Sequence, residues 1–410
     1  MVTHKGEHQG ARPSKRLLLL IAALLLAGCE DPWAAEDLAA LASPVAFASL
    51  SAGNNSSCGL DATGKAWCWG QGTATDSPRL ICYESLGAAG TFESWCWDRP
   101  VPVAGAHVFE TLALGNASFG IDAEGTLWGW GYNANFLLGG APPTTTLLKA
   151  ARVDDTGTWT FKAIASSSTT VCGVTRNGQL VCWGEPNIIT SGALQPCAAG
   201  FGKCRQAPAV IGTTTDWVDV AVGIAAACAL NTAGRVACWG LGAFGELGIA
   251  STPTCTVNGI AIKCLATPTV VSNALTFTSI GGKGLPFCGI TTADALYCWG
   301  QIVNGTTIVT PTLIQNGVLD FDSNGSGYCT VRAGGTVWCS GLFSATGSPV
   351  QIAVPGAVVG VAMGLQHACA WNVAGDAWCF GDATFGQLGN GDARPIYGPT
   401  PRQVSAPYKY

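Results

Sequence analysis

Cysteine is the residue type whose number and spacing most clearly indicate chemistry in this sequence. Twelve of the 19 cysteines form six pairs, and nine residues separate the two members of each pair. The pairs are Cys58 with Cys68, Cys172 with Cys182, Cys228 with Cys238, Cys288 with Cys298, Cys329 with Cys339, and Cys369 with Cys379. Thiols at such spacing can form disulfides or ligate zinc. No two cysteines have the two-residue spacing of a zinc knuckle, so we predict disulfides and expect no metal or other cofactor.

Three further cysteine pairs lie in long segments between these six. They are Cys82 with Cys96, Cys197 with Cys204, and Cys255 with Cys264, and each would join a loop to itself. Phe119 and Gly129 lie at the same spacing in a similar sequence context and replace both cysteines of such a pair. A disulfide predicts that its two cysteines are lost together. Only Cys29 is then left without a partner.

Cys29 ends a segment typical of bacterial lipoprotein export. Lys15 and Arg16 precede an apolar stretch at 17–26, which is too short to cross a bilayer of about 30 Å as a helix. Leu-Ala-Gly-Cys at 26–29 resembles the lipobox, in which the cysteine becomes the lipidated first residue. The resemblance implies a signal peptide at 1–28, a lipid-anchored tether at 29–44, and an exported protein on a membrane of the cell envelope, where disulfides persist. A plain cleaved signal peptide or an anchor helix is the alternative.

The charge balance argues against nucleic acid as a partner. The formal net charge of the chain is −5, and loss of residues 1–28 would remove four basic residues and one acidic residue. The remainder is more acidic still, and such a surface repels a phosphate backbone. With 11% charged residues and 55 glycines, the composition is typical of an all-β protein rich in turns.

Histidine and acidic residues give no clear catalytic set. Only His107 and His367 follow position 28, and they are far apart in the sequence. Asp61, Asp122 and Asp376 lie in predicted hairpin turns, where aspartate commonly accepts hydrogen bonds from its own backbone. We therefore predict a non-catalytic protein. An enzyme whose site forms from distant parts of the chain is the alternative.

Tryptophans recur around the paired cysteines. Trp67 and Trp69 flank one of them, so both indoles lie on one face of a strand. Their recurrence along the chain favours packing in a core over a platform for carbohydrate. Trp95 and Trp97 flank a cysteine outside this pattern and are candidate anchors of a binding surface. Packing within their own loop is the alternative for these two.

These residues belong to a sequence repeat that occurs seven times along the chain. Its copies begin at Cys58, Phe119, Cys172, Cys228, Cys288, Cys329 and Cys369, and five of them end in Trp-Gly. Apolar residues alternate on both sides of a turn, which predicts a β-hairpin. Glycine occupies one place in the turn in six copies, where a left-handed residue is needed, and Asp294 fills that place in the fifth.

Two more strands are predicted for each copy. Upstream of the hairpin, apolar residues three apart lead to a glycine, as at Phe47, Leu50 and Gly53, although copies three, five and six lack the glycine. Farther upstream, a proline precedes aliphatic residues, as at 100–103, and proline favours a sheet edge. The first copy lacks this strand, whereas residues 401–404 follow the last copy. We therefore predict an all-β, seven-bladed β-propeller of four-stranded blades at 45–404, closed by the C-terminal strand joining the first blade, with a tail at 405–410.

The repeat resembles that of a known family. The hairpins ending in Trp-Gly, together with Phe-Gly-Glu-Leu-Gly at 244–248 and its counterpart at 385–389, are similar to the repeat of the regulator of chromosome condensation family. The resemblance covers residues 45–404 and implies a seven-bladed propeller rather than an activity. The family's namesake is a nuclear exchange factor for a small GTPase, and a secreted bacterial member inhibits β-lactamases. Nucleotide exchange, which predicted export and acidity disfavour, and enzyme inhibition are therefore alternative functions.

Long segments follow the first four hairpins, at 71–99, 132–158, 185–207 and 241–266. Three of them hold their own cysteine pair, and loops on a rigid scaffold commonly carry binding sites. We predict that the propeller face and these loops bind a protein or polysaccharide partner at the cell envelope. The protein would contact the membrane through its N-terminal lipid and act as a monomer.

Overall fold

The computed structural model describes residues 43–72, 80–85, 91–133, 135–139, 146–154, 156–185, 195–196, 203–257, 260–302, 305–325, 327–344, 347–394 and 397–407. Only the backbone is described at 80–85, 91–95, 148, 195–196, 203 and 342. Pro44–Tyr410 forms one compact unit, and Met1–Ser43 is assigned to another. The predicted signal peptide, the lipidation at Cys29 and most of the tether fall on residues 1–42, outside the described residues.

The chain forms seven antiparallel sheets, the blades, in the order of the sequence. Blade 1 contains β1 (Phe47–Ala52), β2 (Ser56–Asp61), β3 (Ala66–Gln71), β4 (Leu80–Ser85) and β5 (Thr91–Pro102). Blade 2 contains β6 (Thr111–Leu114), β7 (Ala117–Ile121), β8 (Leu127–Tyr132) and β9 (Thr146–Arg152). Blade 3 contains β10 (Phe161–Ser166), β11 (Thr170–Thr175), β12 (Leu180–Gly184), β13 (Gln195–Pro196) and β14 (Lys203–Val210). Blade 4 contains β15 (Trp217–Val222), β16 (Ala226–Asn231), β17 (Val236–Leu241), β18 (Thr254–Val257) and β19 (Ile260–Val270).

The last three blades have no additional strand. Blade 5 contains β20 (Phe277–Gly281), β21 (Phe287–Thr291), β22 (Ala295–Gln301) and β23 (Thr307–Asn316). Blade 6 contains β24 (Val318–Asn324), β25 (Gly327–Arg332), β26 (Thr336–Cys339) and β27 (Val350–Ile352). Blade 7 contains β28 (Val358–Met363), β29 (His367–Asn372), β30 (Ala377–Gly381) and β31 (Arg402–Gln403). A short 3-10 helix lies at Gly341–Phe343, after the third strand of blade 6. The predicted all-β, seven-bladed fold of four-stranded units is confirmed.

The predicted closure is wrong, because the C-terminal strand belongs to blade 7. Gln403 of β31 lies opposite Trp378 of β30. Blade 1 obtains its fourth strand from β5, where Pro102 lies opposite Trp67 of β3. The proline strand therefore follows its hairpin instead of preceding the next one, and every blade is built from consecutive strands.

The ring closes through hydrogen bonds that repeat at every blade interface. The carbonyl group of each left-handed turn residue accepts a bond from the N–H that begins the inner strand of the next blade, with N···O distances of 2.8–3.3 Å. The N–H of Phe109 donates to Gly64, Phe161 to Gly125, Trp217 to Gly178, Phe277 to Gly234, Val318 to Asp294, Val358 to Gly335, and Phe47 to Gly375. The last bond joins blades 7 and 1. Asp294 has a φ of 54°, as predicted for its place in the turn.

Disulfides connect strands two and three of every blade except blade 2. The six bonds join the predicted cysteine pairs, whose Cα atoms are 4.0–4.1 Å apart. Each bond packs against aromatic or aliphatic residues of the next blade. The Cys172–Cys182 bond, for example, shares a buried cluster with Trp217 and Trp239 of blade 4. The interface of one blade with the next is thus the repeated unit of the core.

Blade 2 shows why both cysteines are replaced together. Phe119 is fully buried and packs in the same cluster as Phe161 and Trp183 of blade 3, where the other blades place their disulfide. A Cβ atom at Gly129 would lie 2.8 Å from Leu138 and 3.2 Å from the Phe119 ring. The large side chain therefore requires the small one opposite, and a single replacement would not pack.

Candidate binding face

The strand order gives the propeller two distinct faces. Antiparallel strands place the connection from the first to the second strand, and the segment from the third to the fourth, on one face, which we call the loop face. The hairpin turns, such as the one at 61–65, lie on the opposite face, which we call the turn face. The described chain enters β1 and leaves β31 at the turn face.

The described parts of all four long segments lie on the loop face. Three of them extend the sheet of their own blade, since β4, β13 and β18 each pair with the first part of a fourth strand. Cys255 and Cys264 are disulfide-bonded within the blade 4 extension. Cys96 and Cys204 are also disulfide-bonded, but the side chains of their predicted partners, Cys82 and Cys197, lie outside the described residues.

The two tryptophans singled out beside Cys96 have different outcomes. The side chain of Trp95 is outside the described residues. Trp97 is 1% exposed and therefore cannot be a surface anchor, so the prediction is wrong for it. A Cβ atom at Gly386 would lie 2.6 Å from the Trp97 carbonyl oxygen, which shows how closely the blade 7 loop covers this strand.

The Phe-Gly-x-Leu-Gly loops of blades 4 and 7, and the Asn-Phe-Leu-Leu-Gly segment at 135–139 that takes their place in blade 2, bind the tryptophan of the next blade on the loop face. The indole nitrogen of Trp183 donates to the carbonyl of Leu137 at 2.7 Å. Trp299 and Trp69 make the same bond to Glu246 at 3.0 Å and Gln387 at 2.9 Å. In blades 2 and 4, Trp130 and Trp239 follow blades without such a loop, and their buried indole nitrogens have no partner among the described residues. The predicted core role is confirmed for Trp69, Trp130, Trp183, Trp239 and Trp299, which are fully buried, whereas Trp67 and Trp128 are half-buried.

The Trp-Gly ending of the repeat has a steric cause. Gly184 has a φ of 96°, and a Cβ atom there would lie 2.5 Å from the carbonyl oxygen of Thr169. Glu185, the next residue, donates its N–H to the same carbonyl at 2.9 Å. The glycine therefore allows the third strand to approach the first connection on the loop face.

A central channel opens in the middle of the loop face. At this mouth, which we call the channel mouth, the side chain of Asn54 donates to Asn116 and to Ser168, joining blades 1 to 3. Ile224 and Leu365, at the equivalent positions of blades 4 and 7, are 50% and 45% exposed. These residues surround a cavity of about 60 Å³, so the mouth combines a polar side with an apolar one.

The channel below the mouth contains a lysine that sequence reasoning missed. Lys283 occupies the position at which four other blades have glycine, and its Nζ forms an ion pair of 2.8 Å with Asp322. The ion pair lines a cavity of about 160 Å³ whose other walls are mainly small inner-strand residues. The missing glycine in copy five was visible in the sequence, but what the lysine reaches depends on the closed ring.

Two further carboxyl groups of the inner strands have raised pKa values. Burial raises the pKa of Asp219 to about 6, although the N–H of Val220 donates to its carboxylate at 2.8 Å. Burial raises the pKa of Asp320 to about 7, and the nearby charge of Asp322 adds to this effect. Desolvation disfavours the ionised form of both carboxyl groups.

Replacing Asp320 with asparagine should remove part of the pH dependence of stability. The native state holds this proton more tightly than the unfolded chain, so the stability that the group contributes is present below about pH 4 and is lost as the pH rises through about 7. We expect wild type to lose stability between pH 5 and 8, and D320N to lose about 1–3 kcal/mol less over that range. Urea unfolding at both pH values measures this difference.

Asp61 provides the matched control for that experiment. Burial alone would raise its pKa, but hydrogen bonds from Thr63 and Trp67 outweigh burial and lower it. D61N should therefore leave the slope between pH 5 and 8 unchanged. An equal slope in D320N and wild type would exclude Asp320 as the titrating group.

The turn aspartates accept hydrogen bonds as predicted in two of three cases. Asp61 accepts from the N–H of Thr63 at 2.9 Å, and Asp122 from that of Thr126 at 2.7 Å. The prediction for Asp376 is wrong because Asn372 takes this role in blade 7. Asn372 Oδ1 accepts from the N–H of Asp376 at 3.0 Å, and its amide donates to the Asp376 carboxylate at 3.3 Å.

The two histidines do not form an accessible acid–base site. His107 packs its ring against Trp128, with ring centroids 3.9 Å apart. His367 Nε2 lies 2.8 Å from Ser57 Oγ, an arrangement that could activate a nucleophile, but both residues are 0% exposed. Burial, with a contribution from the charge of Lys283, lowers the pKa of His367 to about 3. A buried imidazole that stays neutral cannot serve a substrate in solution.

The described residues contain neither a metal-binding cluster nor a long apolar helix. No group of three or more His, Cys, Asp or Glu side chains there could hold a metal ion. Within the same residues, no helix has the length and hydropathy needed to cross a membrane.

Sequence comparison relates this arrangement to known proteins. A model of the regulator of chromosome condensation (RCC1) repeat matches residues 47–74, which include β1 to β3. The chain is 22% identical over 311 residues to the E3 ubiquitin-protein ligase HERC2 of Homo sapiens, a match that covers 70% of this chain and 6% of that protein. It is 30% identical over 128 residues to the mitochondrial RCC1 domain-containing protein RUG3 of Arabidopsis thaliana, covering 31% of this chain and 26% of the relative. The chain thus spans only a small part of the curated relatives it matches.

Solved structures share the architecture at low sequence identity. Human WBSCR16 has a TM-score of 0.66 at 16% identity, covering 84% of this chain and 95% of that one. Prp20p from Saccharomyces cerevisiae has a TM-score of 0.62 at 17% identity, covering 84% and 87%. At such identities the likeness concerns the fold alone. The protein is thus a seven-bladed propeller in which residues 47–74 match the RCC1 repeat.

Proposed function

We propose that this protein is a non-catalytic docking scaffold of the cell envelope, which binds a protein partner on its loop face. The single observation that carries the proposal is the location of the insertions. The described parts of all four lie on the face that also holds the channel mouth, and none extends the turn face. Insertions on one face of a rigid ring enlarge one surface and leave the other unchanged.

Exposed apolar side chains favour a protein as the partner. On the loop face, Tyr132 is 52% exposed, Ile224 50%, Leu365 45% and Phe244 43%. Apolar and aromatic side chains of this kind form the centres of protein interfaces. A polysaccharide, the other predicted partner class, typically stacks on exposed indoles. Every tryptophan side chain that the structure describes is buried or half-buried.

The solved relatives offer a precedent for protein binding. One yeast structure is RCC1 (Prp20) bound to Kap60, with a TM-score of 0.60 at 18% identity over 75% of this chain and 78% of that one. A second is described with the binding properties of Prp20p to Gsp1p and histones. Those partners belong to the yeast protein. They support the general idea that such a ring can dock proteins.

The proposed location follows from the leader sequence and the disulfides. A lipid on Cys29 would hold the protein on a membrane, and export would place the cysteines in an oxidising compartment. Enzyme inhibition by the loop face is compatible with the same docking role. Nucleotide exchange has no separate observation in its favour.

Charge placed at the channel mouth should strongly weaken partner binding. We expect wild-type protein, purified with its disulfides intact, to capture an envelope protein, and the I224D/L365D variant to recover roughly ten-fold less of it, because interface centres tolerate no unpaired charge. Val373 on the turn face is 81% exposed and supplies the control variant V373D. Equal recovery by all three proteins, or a loss confined to V373D, would contradict the proposal. Recovery of a glycan instead would favour the second partner class.

A further inference from the structure

One interface of the ring differs from the other six in its connectivity. Consecutive blades are tied by the backbone that leads from a fourth strand to the next inner strand. Blades 7 and 1, whose interface we call the seam, have no such link, since β31 stays in blade 7. A backbone link keeps two surfaces at high effective concentration. Within the part of the chain that the structure describes, the seam is therefore held by non-covalent contacts.

Lys283 reaches the seam from the opposite side of the channel. Although it belongs to blade 5, its Nζ donates to the carbonyl of Ala52 at 2.9 Å and to that of Met363 at 3.0 Å. Ala52 ends β1 of blade 1, and Met363 ends β28 of blade 7. The two carbonyl groups belong to the two blades that meet at the seam.

The third N–H group of the Lys283 ammonium donates to Asp322 of blade 6. Asp322 Oδ2 lies 2.8 Å from Lys283 Nζ and also accepts the N–H of Met363 at 2.9 Å. An ammonium group has three donors, and all three are used here on three different blades. The long flexible stem of lysine makes this reach across the channel possible. One side chain thus connects blades 5, 6, 7 and 1.

Equivalent positions show that this reach is particular to Lys283. Gly53, Gly115, Gly223 and Gly364 occupy the same place in blades 1, 2, 4 and 7. In blade 3, Ser167 donates only to Thr170 of its own blade, at 3.2 Å. In blade 6, the Asn324 amide donates to the carbonyl groups of residues 364 and 365 in the adjacent blade.

We propose that Lys283 is a latch that holds the ring closed at the seam, where no strand exchange and no backbone link does so. Its charge-assisted bonds to the last carbonyl groups of β1 and β28 fix these two inner strands side by side. Without the ammonium group, the seam opens more often than the other interfaces while the blades themselves stay folded.

Residue-resolved hydrogen exchange of the full chain tests the latch. Two seam amides report opening: Phe47 N–H, bonded to Gly375, and Leu365 N–H, bonded to Gly53. Their counterparts at interior interfaces are Phe161 N–H, bonded to Gly125, and Asn116 N–H, bonded to Ser167. We expect K283M to accelerate exchange of the two seam amides roughly ten-fold or more, with the interior amides unchanged.

Two further variants complete the design. Lys162 is exposed in the inner strand of blade 3, so K162M makes the same chemical change and should alter none of the four amides. D322N keeps an oxygen acceptor for Met363 but removes the ion pair, and it should accelerate the seam amides selectively even where K283M fails to fold. Equal acceleration of exchange at all four amides would overturn the latch. So would unchanged exchange of the seam amides in both K283M and D322N.

Discussion

We expect the reduced protein to melt at a temperature far below the melting temperature of the oxidised form. Each of the six blade disulfides closes a loop of 11 residues, with a sequence separation of 10. In the chain-entropy model each such loop contributes about 2–3 kcal/mol. Even if these contributions are far from additive, their sum is comparable with the total stability of a typical domain, about 5–15 kcal/mol.

Calorimetry with and without reductant, after titration of the released thiols, measures this effect. Reduction breaks the bond between the two sulfurs and removes no atoms, so most inter-blade contacts are kept and the loss reports mainly on the unfolded chain. The C172A/C182A variant, which lacks one disulfide, should have a melting temperature between those of the oxidised and the reduced protein. A melting temperature unchanged after verified reduction would show that the bonds do not stabilise the fold.

Truncating Trp183 should produce the largest loss of stability among single core substitutions. The indole is fully buried between blades 2 and 3, 6.4 Å from the Phe119 ring and 6.2 Å from the Phe161 ring. Removing a buried tryptophan leaves a cavity and costs about 3–5 kcal/mol. Urea unfolding of W183A measures the loss. W67A should cost clearly less, because Trp67 is only half-buried.

A pair of phenylalanine variants isolates the hydrogen bond to the loop. Trp183 donates to Leu137, whereas the equally buried Trp239 has no partner for its indole nitrogen among the described residues. W183F should therefore cost about 1–2 kcal/mol more than W239F, since it leaves a buried carbonyl group without its donor. Equal costs would mean that the blade 2 loop at 135–139 contributes nothing to stability through this bond.

Local patterns predicted the blades well because each depends on a few neighbouring residues. The alternation around each turn gives the hairpin, the nine-residue spacing places Cys58 opposite Cys68, and the turn geometry explains Asp294. Periodicity alone, however, does not assign a fourth strand to the blade before it or after it. The register of Pro102 against Trp67 decides that question, and it overturned the predicted closure.

The candidate site was predictable only in outline. Long segments indicated which loops are enlarged, but the burial of Trp97 depends on the blade 7 loop that covers it, almost 300 positions farther along the sequence. Lys283 appears in the sequence as one lost glycine among several. Its contacts with Ala52 and Met363 exist only because the ring brings the first and last blades together.

The construction of every blade from consecutive strands has a consequence for how such a chain can evolve. Duplicating or deleting one segment, from an inner strand to the following proline strand, adds or removes a whole sheet and leaves no unpaired strand behind. A ring that shares a sheet between its two termini has no such freedom at its ends. In this protein a gene rearrangement at either terminus would preserve complete sheets, whereas contacts that span several blades, such as those of Lys283 and Asn54, would have to adapt to the new circumference.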